Sequence, residues 1–162
     1  MISGGQTGAD LAGVMVAKEF GFATGGMVPK GWKTQAGSQQ ELLQSLGLTE
    51  HSSEHYKPRT WHNAQNSDAT FRFASNFYSP GEICTLNGIK KYQKPYLDFP
   101  IVSGKIDASL VEPAMEFLRE HRVRVLNIAG NADGNNLCGK HFEAVVQFLF
   151  ELFSEIKNHD GK

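Results

Sequence analysis

Short apolar runs alternate with longer amphipathic segments along almost the whole chain. Residues 124–129 (Arg-Val-Leu-Asn-Ile-Ala) form the clearest buried strand, and residues 68–74 alternate between apolar and polar side chains as a half-covered strand does. Leu11 and Val14 recur at helical spacing, and Gly21 is typical of a helix end. The pattern therefore predicts strands and helices in alternation.

The same reasoning predicts the remaining elements. Strands are expected at 22–28 and 95–99, and helices at 38–46, 59–66, 79–93, 107–121 and 140–156. Ser38 is the expected cap of the helix that it begins. Alternating strands and helices predict an α/β fold with a mostly parallel sheet and helices on both faces. A length of 162 residues suits a single domain, 1–162.

Four polar loops each follow a predicted strand, at residues 3–8, 25–31, 75–81 and 130–139. In a parallel sheet the carboxyl ends of the strands meet at one edge, which is where such folds bind ligands. We therefore expect the four loops to converge on one ligand site.

The first of these loops carries the strongest local signal, the run Ser3-Gly4-Gly5-Gln6-Thr7-Gly8-Ala9-Asp10. A glycine-rich turn between a strand and a helix leaves backbone N–H groups free at the positive end of the helix dipole, which favours a phosphate or another oxyanion. Gly5 and Gly8 also let a ligand approach the backbone, which a Cβ would block. The spacing is neither that of a P-loop nor that of the dinucleotide fingerprint, and a purely structural turn is the alternative. Asp10 either complements the dipole or contacts a ligand hydroxyl.

A second group of polar residues follows between positions 56 and 70. Arg59 is expected at a helix start, from which a guanidinium can reach a phosphate with two hydrogen bonds, and Asn63 lies one turn later on the same face. An ordinary surface or ion-paired arginine is the alternative for Arg59. Ser67 and Asp68 either border the ligand or simply form the turn before a strand.

Charge and composition argue against several classes of function. The formal net charge is −1 and no basic run is present, which argues against nucleic acid and acidic membranes as partners. No apolar stretch approaches membrane-spanning length and no secretion signal is recognisable, so we expect a cytoplasmic protein. Two cysteines are too few for a disulfide framework, and His51, His55 and His62 lack a partner cysteine nearby, so no metal site is predicted.

Several motifs occur in a fixed order along the chain: Ser3-Gly4-Gly5-Gln6-Thr7-Gly8-x-Asp10, Gly25-Gly26-x-x-Pro29-x-Gly31, Tyr56-x-x-Arg59-Thr60-x-x-Asn63-x-x-x-Ser67-Asp68-x-Thr70, Lys94-Pro95 and Asn127-Ile128-Ala129-Gly130. With them the chain resembles the putative molybdenum carrier family, which shares a Rossmann-like superfamily with the Lonely Guy phosphoribohydrolases and the DNA-processing protein A group. The resemblance implies a Rossmann-like three-layer sandwich, self-association, and a site for molybdenum cofactor or, alternatively, a nucleotide. The ligand-binding residues that it implies are Gly4, Gly5, Gln6, Thr7, Gly8, Asp10, Arg59, Asn63, Ser67, Asp68, Thr70 and Gly130.

The chain departs from the family pattern in two loops. Residues 80–85 read Pro-Gly-Glu-Ile-Cys-Thr where relatives usually carry Gly-Gly-Thr-x-x-Thr, and Glu82 brings a negative charge to a place where an anion is expected. After Gly130 the chain continues with Asn131-Ala132 rather than with Pro-Arg, so the arginine that relatives often carry there is missing.

These observations lead to functions of different classes. The first is a binding protein for a phosphorylated small molecule, nucleotide-like or pterin, in which the glycine loop holds the phosphate, Arg59 assists, and Ser67, Asp68 and Thr70 line the rim. The alternative is an enzyme that hydrolyses the N-glycosidic bond of nucleoside monophosphates, with Glu82 or Asp68 as the carboxylate that such chemistry needs. A ligand sensor that acts through a partner protein is a third hypothesis. The last predicted helix is apolar on more than one face, which predicts a homo-oligomer.

Overall fold

The computed structural model describes residues 1–161 of the chain. In chain order its elements are β1 (Ile2–Ser3), α1 (Ala9–Glu19), β2 (Met27–Val28), β3 (Lys33–Thr34), β4 (Gly37–Ser38), α2 (Gln40–Ser45), β5 (Thr49–Glu50), α3 (Tyr56–Gln65), β6 (Ala69–Ala74), α4 (Pro80–Lys91), β7 (Tyr96–Pro100), a 3₁₀ turn (Ala108–Leu110), α5 (Val111–Glu120), β8 (Leu126–Gly130) and α6 (Lys140–Asp160).

A parallel sheet of four strands, in the order β1-β8-β6-β7, forms the centre of the fold. In its register Phe71 of β6 pairs with Ile128 of β8 on one side and with Leu97 of β7 on the other. The predicted α/β fold with a mostly parallel sheet and helices on both faces is thereby confirmed.

One face of this sheet is apolar because the strands alternate. Phe71 and Phe73 of β6 point to the same side as Ile128, where α1, α5 and α6 cover them. The rings of Phe73 and Phe99 stack with their centroids 4.8 Å apart. Full burial of such a side chain contributes about 1.5–3 kcal/mol to stability, so this face forms the main core.

The opposite face of the sheet is polar although it is buried. The amide of Asn127 in β8 donates to the hydroxyl of Thr70 in β6 (3.2 Å), and the guanidinium of Arg72 forms two hydrogen bonds with the Asp98 carboxylate (2.8 and 2.7 Å). Helices α3 and α4 pack against each other, and α4 contacts β8. A cavity opens between this face of the sheet and helices α3 and α4.

Two predictions about the first half of the chain are wrong. The strand expected at 22–28 is limited to Met27–Val28, which pairs with β5, and to an isolated parallel bridge between Gly25 and Ile2 of β1. The loop at 25–31 therefore does not follow a full strand of the central sheet. Ser38 belongs to β4, where its hydroxyl donates to the carbonyl of Gly31 (2.9 Å), and α2 begins only at Gln40 without a side-chain cap. A second apolar cluster organises this region; its members are Leu11, Val14, Val28, Trp32, Leu43, Leu46 and Leu48.

Helix α6 buries more of its apolar residues within one chain than its sequence suggests. The residues buried against the core are Ala144, Val145, Phe148, Leu149, Leu152 and Phe153. Phe150 is 51% exposed, and its ring packs edge-on against Phe20 at 5.0 Å. Self-association stays a prediction, and sedimentation at micromolar concentration tests it.

The space around Gly5 and Gly8 is filled by the protein rather than open to a ligand. Both residues have a positive φ (67° and 84°). A Cβ on Gly5 would lie 2.7 Å from Val28, and one on Gly8 would lie 2.5 Å from the carbonyl oxygen of Asn131. The expectation that these glycines make room for a ligand is therefore wrong, because their small size permits internal packing.

We predict that Gly8→Val lowers the free energy of unfolding by about 2–4 kcal/mol, since it combines an unfavourable φ with a backbone clash. Urea denaturation measures the loss. Gly81→Ala is the matched control, because a Cβ there meets no described atom within 4 Å and the residue has no positive φ. A Gly8→Val protein as stable as this control would contradict the role in packing.

Candidate functional site

A cavity of about 480 Å³ opens at the carboxyl edge of the sheet. The loop after β1, helix α3, the first turns of α4 and the end of β8 form its walls. The residues that line it are Gly4, Gln6, Asp10, Gln35, Tyr56, Arg59, Thr60, Asn63, Ser79, Pro80, Gly81, Glu82, Cys84, Thr85, Asn127, Ile128, Ala129, Gly130, Asn131 and Ala132. The first, third and fourth of the predicted loops therefore contribute residues to one site.

A buried ion pair between Arg59 and Asp10 forms part of the cavity wall. Arg59 Nη1 lies 3.7 Å from Asp10 Oδ2, and the two residues are only 8% and 4% exposed. The Arg59 guanidinium lies so close to Gly4 that a Cβ on Gly4 would overlap it. Gly4 is therefore needed for the arginine to lie against the backbone of the loop. The Nε–H of Arg59 has no hydrogen-bond partner among residues 1–161.

The backbone N–H groups of the glycine loop are not free, contrary to expectation. Gly5 donates to the Ser3 hydroxyl (3.2 Å), Gln6 to the Asp10 carboxylate (3.4 Å) and Thr7 to the side-chain oxygen of Gln6 (3.0 Å). The N–H of Ala9, the first residue of α1, donates to the carbonyl of Asn131 (3.1 Å). The loop does hold an anion, but that anion is the protein's own Asp10 carboxylate.

Burial dominates the protonation of this ion pair. Desolvation raises the pKa of Asp10 to about 6, although Arg59 and the backbone N–H groups of Gln6, Gly130 and Gly4 oppose the rise. Desolvation also lowers the pKa of Arg59, and the Asp10 charge opposes that fall. Protonation of Asp10 below a pH of about 6 would leave the Arg59 charge without its partner.

The start of α4 forms the opposite wall. The Ser79 hydroxyl accepts from the N–H of Glu82 (3.4 Å) and caps the helix, and Pro80 occupies its first turn. Gly81 follows with open space around it. Because a helix start carries partial positive charge, this turn and Arg59 give the cavity two sources of positive potential.

Glu82 belongs to the same turn and is only 3% exposed. Its Oε2 has no hydrogen-bond partner within the described part of the chain. The nearest cation is Arg72, whose Nη1 lies 3.8 Å away. Desolvation raises the pKa of Glu82 to about 7, the Asp10 charge adds to the rise, and Arg72 opposes it. The negative charge expected at this position is thus partly removed by protonation at neutral pH.

Arg72 lies behind the cavity wall and supports it, which sequence reasoning missed. Besides Asp98, it donates to the backbone carbonyl of Glu82 (3.1 Å), and the rings of Phe77 and Tyr96 lie 5.0 and 5.6 Å from its guanidinium carbon. It therefore orients the turn that carries Glu82. The available signal was a single charge inside an otherwise apolar strand, since such a charge needs buried partners.

Helix α3 places Arg59 in the cavity wall, and its Asn63 side chain anchors the helix to β2. The amide of Asn63 accepts from the N–H of Met27 (2.9 Å) and donates to the carbonyl of the same residue (3.0 Å). It thereby ties α3 to β2. Tyr56 lies one turn before Arg59, and the guanidinium carbon stands 5.4 Å from its ring centre. Arg59 is consequently held from below by Asp10 and from the side by an aromatic ring.

The structure does not bring Ser67, Asp68 and Thr70 to the cavity. They lie before or at the amino end of β6, the opposite end from the ligand edge. The Asp68 carboxylate accepts from the N–H groups of Arg124 and Val125 (both 2.8 Å), which lowers its pKa. Asp68 thus joins the start of β6 to the segment before β8, whereas the Ser67 hydroxyl donates to the carbonyl of Ala64 (3.2 Å). The turn interpretation considered for Ser67 and Asp68 agrees with this position.

Other residues of the predicted site play internal roles. The Thr7 hydroxyl donates to the carbonyl of Gly134 (2.9 Å) and accepts from the N–H of Asp133 (3.1 Å). The side-chain oxygen of Gln6 accepts from Gln35 (2.8 Å). Gly130 lies against the carbonyl of Phe73, where a Cβ would overlap it. These contacts tie the loop after β1 to the loops that surround it.

Residues 1–161 contain neither a cluster of metal ligands nor a helix suited to cross a membrane. No three His, Cys, Asp or Glu side chains in that range are grouped as metal ligands would be. No helix in the same range combines the length and the apolar character that crossing a membrane requires.

Comparison with known proteins gives a consistent family assignment. The model of the circularly permutated YpsA SLOG family matches residues 1–149. A crystal structure from Syntrophus aciditrophicus, described as a "Putative molybdenum carrier protein", is similar to this chain with 30% identity and a TM-score of 0.81, covering 94% of this chain and 92% of the other. No curated protein matches the sequence. The resemblance inferred from the motifs is thereby confirmed, and the chain belongs to the circularly permutated YpsA SLOG family.

Proposed function

We propose that the chain binds a phosphorylated nucleotide-like or pterin ligand in the cavity and performs no chemistry of its own on it. The observation that carries this proposal is the buried Arg59 side chain, which lines the cavity and whose Nε–H has no acceptor in residues 1–161. Buried donors nearly always have a partner, and a charged one costs more when it lacks one. An anionic ligand group beside Arg59 would supply the missing acceptor.

The cavity has the polarity of a site for a ligand with two different ends. Arg59 and the start of α4 at Gly81 supply positive potential for a phosphate. Glu82 supplies a carboxyl group with a pKa of about 7 and an unpartnered oxygen. Purine and pterin rings carry N–H and amino groups that such an oxygen accepts, so Glu82 is the proposed contact for the ring.

Molybdenum cofactor fits this set of residues. Its phosphate would lie by Arg59 and Gly81, and its pterin by Glu82 and Tyr56. A cavity of about 480 Å³ lies in the usual range for small-molecule sites. When bound, the group itself supplies redox chemistry at its metal, while this chain holds and shields it. The name of the Syntrophus aciditrophicus protein supports this choice, and a nucleotide fits the same donors and acceptors.

The alternative of an N-glycosidic hydrolase has less support. Of its two candidate carboxylates, Asp68 lies at the far end of β6 and is held by backbone N–H groups. Glu82 alone remains in the cavity. A net charge of −1 still argues against nucleic acid and acidic membranes as partners. The two free cysteines, Cys84 and Cys138, agree with the cytoplasmic location that we propose.

Arg59→Ala tests the anion site. Small molecules released from the purified protein by denaturation are identified by mass spectrometry, and the retained compound or adenosine monophosphate is then titrated by calorimetry. We expect Arg59→Ala to weaken binding by about 1.5–3 kcal/mol, because it removes a charge-assisted hydrogen bond. Arg119→Ala is the control, since Arg119 is an exposed arginine with only a surface ion pair to Glu112 (3.8 Å).

Less than a twofold change in Arg59→Ala would rule out its role as the ligand's anion contact. A protein that retains no phosphorylated compound, and that binds neither adenosine monophosphate nor inorganic phosphate, would contradict the proposed function itself.

Glu82→Gln tests the protonation of the cavity. Burial raises the pKa of Glu82 from its ordinary value of 4.5, which the unfolded chain has, to about 7, so the folded state holds the proton more tightly. Its contribution to stability is therefore full below the lower value and is lost as pH rises through the higher one. We expect the variant to be more stable than wild type by about 1–3 kcal/mol at pH 8, with a smaller difference at pH 5. Urea denaturation across this range checks it; an equal effect at both pH values would show that Glu82 does not titrate in that window.

A further inference from the structure

A chain of three side chains lies at the same edge of the sheet but outside the cavity walls. Ser75 directly follows β6, Asp133 lies in the loop after β8, and His141 is in the first turn of α6. The Ser75 hydroxyl is 2.8 Å from His141 Nε2, and His141 Nδ1 is 2.9 Å from Asp133 Oδ1. Serine, imidazole and carboxylate therefore follow one another in the order that serine hydrolases use.

The carboxylate of this chain is rigidly held. Asp133 also accepts from the backbone N–H groups of His141 (3.0 Å) and Phe142 (2.9 Å), and its side chain is only 6% exposed. A carboxylate in that position holds the proton of a neutral imidazole on Nδ1. The lone pair of Nε2 then faces the Ser75 hydroxyl, which is the arrangement that a general base requires.

The Ser75–His141 hydrogen bond is not needed to hold the loop or the helix in place. The amide of Asn131 already fixes the backbone, because its oxygen accepts from the N–H groups of Ser75 (2.9 Å) and Asn76 (3.0 Å), and its nitrogen donates to the carbonyl of Asn76 (3.1 Å). Asp133 caps the start of α6 through backbone N–H groups alone. Ser75 is exposed and accessible to reagents.

We propose that Ser75 is a nucleophile, activated by His141 and Asp133, that takes the acyl group of small carboxylic esters. The hydroxyl oxygen bonds to the ester carbonyl carbon while His141 Nε2 takes its proton. The carbon–oxygen bond to the alcohol then breaks, and His141 returns the proton to the leaving alcohol. Water cleaves the acyl-serine by the same two steps, so that a carboxylic acid and free Ser75 are the products.

Two backbone donors, both bonded to Asn131 in this structure, lie where the oxyanion would develop. The N–H groups of Ser75 and Asn76 converge on Asn131 Oδ1, which lies 3.3 Å from the Ser75 hydroxyl oxygen. An ester carbonyl oxygen that replaces this amide oxygen would receive both hydrogen bonds beside the nucleophile. Because Ser75 and Asn76 are exposed, the site suits small esters rather than large ones that require a deep pocket.

Covalent labelling with a fluorophosphonate tests the proposal on the full chain. We expect one phosphonyl group per chain, located on Ser75 by peptide mass spectrometry, and no label in Ser75→Ala. His141→Asn removes the base and should slow labelling by about 100-fold or more. Asp133→Asn should slow it by at least about tenfold through loss of imidazole orientation. Ser38→Ala is the matched control, because Ser38 is an exposed serine whose hydroxyl contacts only a backbone carbonyl.

Hydrolysis of p-nitrophenyl acetate provides the second readout, with a burst of nitrophenol expected in wild type and absent in Ser75→Ala. Thermal melting checks that each variant is folded. Asp133 also caps α6; where an Asp133 variant fails to fold for this reason, the comparison of Ser75→Ala with Ser38→Ala still tests the proposal. Labelling of Ser75 no faster than that of Ser38, or unchanged labelling in folded His141→Asn, would overturn the proposal.

Discussion

Burial of the Asp10 carboxylate against Arg59 is the interaction on which the candidate site depends. The carboxylate receives backbone hydrogen bonds from the glycine loop and thereby takes the place that an external anion would occupy at the start of α1. The negative charge of Asp10 also holds the Arg59 guanidinium against the backbone of Gly4. Removing one partner of such a buried pair typically costs about 3–5 kcal/mol, because the other charge is left without compensation.

This arrangement leaves the start of α4, rather than the start of α1, as the positive helix end beside the cavity. With the N–H groups of the glycine loop occupied, the open positive end of a helix is that of α4, where Gly81 has space around it. Residues 127–130 of β8 form the sheet side of the cavity. Arg72 orients the α4 turn through its hydrogen bonds to the Asp98 carboxylate and to the backbone carbonyl of Glu82. Burial of several charges close together explains why the pKa values of Asp10 and Glu82 both rise.

The loop after β8 connects this cavity with the Ser75 group. Gly130 and Asn131 line the cavity, Asn131 holds the backbone at Ser75, and Asp133 orients His141. The proximity has a simple geometric cause, since β8 and β6 are parallel neighbours whose carboxyl ends emerge side by side. One sheet edge thus carries both a polar cavity and a serine–histidine–aspartate chain.

The sequence by itself determined the parallel α/β fold, the approximate positions of most helices and the family, because hydrophobic periodicity and ordered motifs are local properties of the chain. It also singled out Arg59, Asp10 and Glu82, which the cavity does bring together. Only the tertiary structure decided what occupies the glycine loop and which of the polar residues line the cavity. The partners involved are distant in sequence, as with Gly8 beside Asn131 and Ser75 beside His141, and no local pattern encodes such contacts. The same reason explains Ser67, Asp68 and Thr70: their residue types suit a binding site, but the direction of the strand places them at its opposite end.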